Sequence, residues 1–207
     1  IALNGVHDAA IRIGETVAVF GLGTPGQMVA QLAKKSGATV IGVEYNRMRL
    51  ETAVRLGGLD IAVDAGEGKV AERIKQITGG RGADVCIEVT GFYPALHEAI
   101  RAAAYSARVV AMGFYQGQGE GLFMGEEFHH NRINIVGSQI FGVNPELKYR
   151  WDDTREAQTF LNLMAKGVLT MRPLITHILP FSQAAEAFRL CDQEGAKTIQ
   201  VALDFNS

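Results

Sequence analysis

The chain has 207 residues, of which 47% are hydrophobic and 20% are charged, and its formal net charge is −2. These values are ordinary for a globular protein, and so small a charge gives no electrostatic footprint for nucleic acid or an acidic membrane surface. The sequence has no apolar run long enough to cross a bilayer, and its first residues fit neither a signal peptide nor a transit peptide. We therefore expect no nucleic acid and no membrane among its partners.

The two cysteines, Cys86 and Cys191, lie in apolar patterns and lack the spacing of zinc ligands. We interpret both as buried, reduced thiols, which suits a cytoplasmic protein. The chain begins at Ile1, inside a helix-like pattern that runs to Ile11, and we expect it to be part of a longer protein.

Strand-like and helix-like patterns alternate through the first two-thirds of the chain. The strand-like runs are Thr16–Phe20, Thr39–Glu44, Ile61–Asp64, Val85–Val89, Arg108–Gly113 and Asn134–Gln139. The helical patterns are Pro25–Ser36, Arg47–Leu56, Val70–Thr78 and Pro94–Ala104. Such alternation with right-handed crossovers predicts an α/β fold, a doubly wound parallel sheet of order 3-2-1-4-5-6 with helices on both faces.

The pattern changes after Gly142. We predict a helix over Asp152–Lys166, a strand at Leu174–Ile178, a helix over Ser182–Cys191 and a last strand at Thr198–Phe205. We expect these strands to leave the β-α alternation and to belong to another sheet, with open edges and an uncovered apolar face. An isolated chain would then be prone to aggregation or partly disordered there.

A glycine-rich turn follows the first strand and opens the first long helix. Its residues are Gly21, Leu22, Gly23, Thr24, Pro25 and Gly26, which match the dinucleotide-binding fingerprint G-x-G-x-x-G in its required context. The first glycine permits a tight turn, the second permits close approach of a pyrophosphate, and the third permits close packing of helix on strand. The helix N-terminus then offers N–H groups and a positive dipole end to the phosphates.

An acidic residue, Glu44, ends the second strand, where it is expected to accept hydrogen bonds from the adenosine ribose. A 2′-phosphate would face its like charge, so NAD is favoured over NADP. Arg47 and Arg49 follow on the next helix and could partly offset that charge. We include Tyr45 among the cofactor-binding residues.

Further candidates lie at the carboxyl ends of strands four, five and six, where open α/β sheets bind their ligands. They are Thr90, Met112, Phe114, Ser138 and Ile140. The run Glu126–His130 contains metal-capable groups, but adjacent histidines point in different directions on most backbones. We predict no metal site there.

In order, spacing and segment type the chain resembles the medium-chain dehydrogenase/reductase superfamily, which includes the zinc alcohol dehydrogenases. The matching segments are Gly14–Gly23, Val40–Glu44, Gly80–Val85, Glu88–Gly91 and Val136–Ser138. The resemblance implies a Rossmann domain over residues 1–145 and a C-terminal return of the catalytic domain over residues 146–207. The N-terminal catalytic half, with the family's zinc ligands and proton relay, is not in this sequence. We therefore assign no catalytic residue, place any zinc in that other half, and expect the chain alone to be inactive.

The resemblance also implies particular roles. Backbone groups near Phe114, Ser138 and Ile140 would fix the nicotinamide carboxamide, and Arg49 would contact the adenosine ribose. Strand 134–139 would pair with its twin in a homodimer. Gln200 departs from the pattern, because some members of the family carry a basic residue there that reaches the pyrophosphate.

These observations predict the cofactor-binding portion of an NAD(P)-dependent oxidoreductase that moves hydride between a small alcohol or polyol, or its carbonyl product, and nicotinamide. One alternative is a non-catalytic NAD(H)-binding or sensing module, which the same motif supports. Another is an S-adenosylmethionine methyltransferase, although its usual glycine spacing is tighter and the segments after Gly79 fit it poorly.

Overall fold

A six-stranded parallel sheet forms the centre of the computed structural model, which describes residues 1–140 and 142–206. Its strands are β1 (Thr16–Phe20), β2 (Thr39–Glu44), β3 (Ile61–Asp64), β4 (Ala83–Glu88), β5 (Ala103–Ala111) and β6 (Asn134–Gly137). The spatial order is β3-β2-β1-β4-β5-β6, with every neighbouring pair parallel. The predicted doubly wound sheet is therefore confirmed. Its carboxyl edge, at which the strands end, faces one side of the molecule.

Helices cover both faces of this sheet. In chain order the helices of the described residues are α1 (Ala2–Ala9), α2 (Thr24–Lys35), α3 (Arg47–Arg55), α4 (Val70–Ile77), α5 (Tyr93–Ala102), α6 (Glu127–His130), α7 (Asp153–Ala165) and α8 (Ala184–Gln193). The last of them, α8, packs on a separate pair of strands near the end of the chain. One apolar core lies between the sheet and α4 and α5, and the other lies between the sheet and α1 and α2. Among the described residues, no helix is long and apolar enough to cross a membrane.

Several elements begin or end one or two residues away from their predicted bounds, and two differences are larger. Strand β5 begins at Ala103, where a helix was expected to continue to Ala104, because Ala103 pairs with Ala83 of β4. Alanine has the highest helix propensity, but such propensities are small for each residue, and the tertiary pairing with β4 overrides them here. The residues Glu127–His130, for which the sequence patterns predicted no helix, form the short helix α6.

The last part of the chain forms a second, two-stranded sheet. Its strands β7 (Ile175–Pro180) and β8 (Gln200–Asp204) are parallel and are joined through α8. The separate sheet is as predicted, but the expectation that β-α alternation stops is wrong, since β7, α8 and β8 form one more crossover unit. Large apolar side chains remain exposed on this unit: Ile178, Phe181, Phe188 and Phe205.

Helix α7 packs against the six-stranded part of the molecule. Its residues Phe160 and Leu163 contact the core beneath α1 and α2, and Nδ1 of His7 is 3.0 Å from Oε1 of Glu156. The side chain of Gln31 exchanges two hydrogen bonds with the backbone of Thr170, at 2.8 and 3.1 Å. Elements on both sides of the predicted boundary at residue 145 thus share one core.

The two cysteines occupy different environments. Cys86 lies on β4 and is fully buried, as predicted, and burial raises the pKa of its thiol. Cys191 is exposed on α8, so the prediction that it is buried is wrong. The reason is that α8 buries only Ala187.

Candidate functional site

The glycine turn lies where β1 ends and α2 begins, and two of its glycines are required by packing. Gly21 has a φ of 87°, and a Cβ there would overlap the methyl group of Thr90. A Cβ on Gly26 would overlap the carbonyl oxygen of Gly21. These contacts give the first and third glycines the roles that the fingerprint predicts.

The second glycine, Gly23, faces open space. Among the described residues, the atom nearest to a Cβ built there is Nη1 of Arg49, at 4.0 Å. Gly23 is the N-cap of α2 and no side chain caps it in the described structure, so the first turn of the helix presents its N–H groups to this space. Together these features leave room for a ligand beside the N–H groups of a helix N-terminus, which suits an anion, and we call this place the cradle.

The residues between the glycines have distinct positions. Leu22 is fully buried, so only its backbone can reach a ligand. The hydroxyl of Thr24 donates to the carbonyl oxygen of Ile199 at 2.9 Å and lies 3.2 Å from Oε1 of Gln200. Pro25 occupies the first turn of α2, where its missing N–H costs no helical hydrogen bond.

Glu44 lies beside the cradle at the end of β2. Its carboxylate accepts hydrogen bonds from the N–H groups of Leu22 at 2.7 Å, Tyr45 at 2.8 Å and Asn46 at 3.0 Å. The side chain therefore fixes the glycine turn to the end of β2 and brings a negative charge to the carboxyl edge. Sequence reasoning predicted the position of Glu44 but missed this structural role.

Arg49 contacts the C-terminal part of the chain. Its Nη2 donates to the carbonyl oxygens of Gly195 and Thr198, both at 3.0 Å, and its Nε donates to Thr198 at 3.2 Å. Asn46 adds a bond from Nδ2 to the carbonyl oxygen of Ala196 at 2.8 Å. Residues 195–200 therefore cross beside the glycine turn. The predicted contact of Arg49 with a ribose stays a prediction.

A first cavity of about 110 Å³ opens at the carboxyl edge next to Glu44. Its walls are mainly apolar, and Tyr45 and Phe92 at its border are 73% and 61% exposed. The lining residues are Phe20, Gly21, Val43, Glu44, Tyr45, Ala65, Val70, Thr90, Phe92, Pro94, Ala95 and Glu98. Sequence reasoning did not single out Phe92 or Glu98.

The turn after β4 is built around a fully buried acid, Glu88. Its carboxylate accepts from the N–H groups of Thr90 at 2.7 Å and Gly91 at 3.0 Å, and also from the hydroxyls of Thr90 and Tyr115. Burial and the charge of Glu88 raise the pKa of Tyr115. The hydroxyl of Thr90 is thus used within the turn, while its methyl group packs on Gly21.

A second cavity, of about 650 Å³, lies further along the same edge, at the ends of β5 and β6. It brings together the predicted residues Met112, Phe114, Ser138 and Ile140. Phe114 is 82% exposed and Ile140 is 55% exposed, and the N–H of Ser138 donates to Ala111 at 3.0 Å. These four residues therefore line one space, apart from Glu44 and the first cavity.

Within residues 1–140 and 142–206, no three side chains of His, Cys, Asp or Glu converge as a metal site. The rings of His129 and His130 lie 5.5 Å apart, and Glu127 bonds to Arg101 at 3.4 Å.

Known proteins share both the sequence pattern and the fold. A family model for zinc-binding dehydrogenases matches residues 26–161. D-guloside 3-dehydrogenase of Escherichia coli (strain K12) is 36% identical over 207 residues, covering 99% of this chain and 59% of that protein.

Two solved structures extend the likeness to three dimensions. An alcohol dehydrogenase from Thermus sp. ATN1 has a TM-score of 0.80 at 25% identity, covering 98% of this chain and 55% of that one. A structure named NAD-dependent alcohol dehydrogenase also has a TM-score of 0.80 at 25% identity, covering 98% of this chain and 56% of that one. The chain therefore spans little more than half the length of the proteins it matches.

Proposed function

Because the chain belongs to the zinc-binding dehydrogenase family, we propose that it binds NAD(H) along its carboxyl edge as the cofactor-binding portion of an oxidoreductase. The observation that carries this proposal is the cradle at Gly23. Gly21 and Gly26 are glycines because of packing, whereas Gly23 borders open space at the N-terminus of α2. A pyrophosphate fits that arrangement, because it needs close backbone approach, N–H donors and a positive dipole end.

The adenosine half belongs beside Glu44 and the first cavity. The carboxylate of Glu44 has three backbone donors, and a carboxylate offers about four lone-pair positions, so it can accept from a ribose hydroxyl as well. A 2′-phosphate at that position would meet the charge of Glu44, which favours NAD over NADP. The adenine ring then enters the apolar cavity between Tyr45 and Phe92.

The nicotinamide half belongs in the second cavity. Its lining residues Met112, Phe114, Ser138 and Ile140 come from the ends of β5 and β6, and they would hold and orient the ring. Nicotinamide, when bound, supplies the hydride chemistry at C4. The residues that line the second cavity would bind and orient the nicotinamide ring and would keep water from one face of it.

The substrate class proposed for the whole protein is a small alcohol or polyol and the corresponding carbonyl compound. It is supported by the similarity to D-guloside 3-dehydrogenase and to alcohol dehydrogenases. We assign no zinc ligand and no catalytic residue among the described residues. We also propose that residues 1–145 act as the cofactor-binding domain and that residues 146–207 contribute to the substrate domain.

Fluorescence titration of the purified protein with NADH and NADPH tests the cofactor assignment. We expect saturable binding of NADH, tighter than binding of NADPH by roughly tenfold or more, because Glu44 repels the 2′-phosphate. Glu44→Gln should reduce the ratio between the affinities for NADH and NADPH. Glu51→Gln is the matched control, since Glu51 is an exposed acid on α3 paired with Arg47. Equal binding of the two cofactors by the wild type would refute the role of Glu44.

An assay of polyol-dependent NAD reduction separates the enzyme from a sensing module. Turnover by the full-length protein supports the oxidoreductase. Saturable NADH binding without turnover on a panel of alcohols, polyols and glycosides would favour a non-catalytic NAD(H)-binding module instead.

We propose in addition a homodimer through β6. This strand ends the order of the sheet, so its outer edge can pair with a second copy. A monomer mass in light scattering at micromolar concentration would contradict this proposal.

A further inference from the structure

The first cavity contains a carboxylate that the proposed contacts with ribose and phosphate do not use. Glu98, on α5, lines this cavity together with apolar residues such as Val70 and Ala95. Glu44 and Gly21 line it as well, next to the glycine turn. A ligand that enters from the turn therefore meets an acidic acceptor on an otherwise mostly apolar wall.

Glu98 is held in place from two sides. Nη1 of Arg101 donates to its Oε1 at 2.6 Å, and the N–H of Ala71, in the first turn of α4, donates to its Oε2 at 2.9 Å. Arg101 is also paired with Glu72, and the hydrogen bonds that it makes to Glu72 and Glu98 raise the pKa of Arg101. These bonds fix the orientation of the Glu98 carboxylate, which has lone pairs left for a further donor.

Resting on the proposed binding of NAD(H), we propose that Glu98 reads the adenine base by accepting a hydrogen bond from its exocyclic amine. The ribose end of the nucleotide lies at Glu44, so the base extends along the cavity toward α5. Adenine carries an N–H donor at its six position, which matches a carboxylate. Hypoxanthine carries a carbonyl oxygen at that position, and its lone pairs would face the lone pairs of Glu98. A site built to bind a donor rejects the analogue that lacks it.

The test compares NADH with reduced nicotinamide hypoxanthine dinucleotide, which replaces the adenine amine by an oxygen. We expect the wild-type protein to bind NADH roughly tenfold more tightly or better, the effect of losing one hydrogen bond to a charged group. In Glu98→Gln the carboxamide can donate as well as accept, so the preference should fall to about twofold or less.

Glu127→Gln is the matched control, because Glu127 also bonds to Arg101 but does not line the cavity. This variant should keep the wild-type preference. Thermal unfolding of both variants checks that they fold, and the comparison of the two nucleotides on the wild type needs no variant at all.

Three results would overturn the assignment. Equal affinity of the wild type for both nucleotides excludes base reading by Glu98 and leaves the cofactor proposal intact. If folded Glu98→Gln still binds NADH tenfold more tightly than the hypoxanthine dinucleotide, a group other than Glu98 recognises the base. Failure to bind either nucleotide refutes the cofactor proposal itself, and the role of Glu98 with it.

Discussion

The two sheets of the molecule are both built from parallel β-α-β units, yet they differ in burial. In β1, the residues Val17, Ala18 and Val19 are fully buried between two layers of helices. In β8, every residue is half-buried or exposed. The comparison shows that β-α alternation does not by itself create a core. A parallel sheet becomes stable when helices cover both of its faces.

Polar contacts join the second sheet to the first at the glycine turn. Arg49, Asn46 and Thr24 all donate to backbone carbonyls within residues 195–200. The six-stranded sheet is therefore held together by apolar packing, whereas the segment just before β8 is held to it by hydrogen bonds. Both the cradle and this junction depend on the turn between Gly21 and Gly26.

Gly26→Ala is expected to lower the free energy of unfolding most, because it disrupts the packing of the six-stranded sheet. The added methyl group would overlap the carbonyl oxygen of Gly21, a backbone atom that cannot move aside without shifting the turn. We expect a loss of about 3 kcal/mol in the free energy of unfolding, measured by urea denaturation. The better helix propensity of alanine, about 1 kcal/mol, is too small to compensate.

Gly23→Ala is the control for this effect. Gly23 has a φ of −64° and open space around it, so we expect the free energy of unfolding to change by about 0.5 kcal/mol or less. NADH affinity should nevertheless fall, because the methyl group fills the cradle. If Gly23→Ala were as destabilising as Gly26→Ala, the division between a packing glycine and a binding glycine would be wrong.

The sequence predicts the six-stranded sheet well, because the strand periodicity and the fingerprint of Gly21–Gly26 are local signals. It also predicts Glu44, since an acid at the end of the second strand is part of the same signal. The bonds of Glu44 to three N–H groups and those of Arg49 to residues 195–198 depend on how distant segments pack. No local pattern encodes them.

Other site residues carry weaker signals. Glu88 is an acid within an apolar strand, which indicates a buried polar network but not its partners. Phe92 and Glu98 reach the first cavity only because α5 packs beside α4. The sequence likewise does not reveal that Cys191 is exposed. Helix α8 has an apolar pattern, but little of the molecule covers this helix.

We expect a smaller loss of stability from Arg49→Met, which removes the hydrogen bonds to the segment before β8 and keeps a similar apolar stem. We expect a loss of about 1 to 2 kcal/mol, because three hydrogen bonds to backbone carbonyls disappear. Hydrogen exchange should accelerate within residues 195–204 and stay unchanged in β1 and β4. Arg47→Met is the control, since Arg47 is exposed on the same helix and pairs only with Glu51 among the described residues. Uniformly faster exchange in both sheets would show that they do not open separately.

Acid pH is expected to change the free energy of unfolding least. This change should also distinguish the two sheets, because the two carboxylates involved bond to strands of the six-stranded sheet. Asp84 accepts from the N–H of Thr16 at the start of β1, and Asp60 accepts from the N–H of Val40 in β2, both at 2.8 Å. Burial pushes the pKa of each carboxyl upward, but Arg81 beside Asp84 and Lys34 beside Asp60, together with these N–H donors, hold both pKa values below the usual range.

A lowered pKa in the folded state adds stability above the unfolded pKa of about 3.9, and that stability is lost as the pH falls through the folded pKa. The free energy of unfolding should therefore decline below about pH 4, with about 1 kcal/mol or less from each aspartate, because both groups are partly exposed. Asp84→Asn should remove the contribution of Asp84 to the free energy of unfolding at neutral pH. It should also make the fall of that free energy below about pH 4 shallower, since the amide does not titrate. An identical acid profile in wild type and Asp84→Asn would show that this carboxylate does not anchor β1. The decline would then have to arise elsewhere, such as at the exposed pairs of Arg189 beside β8.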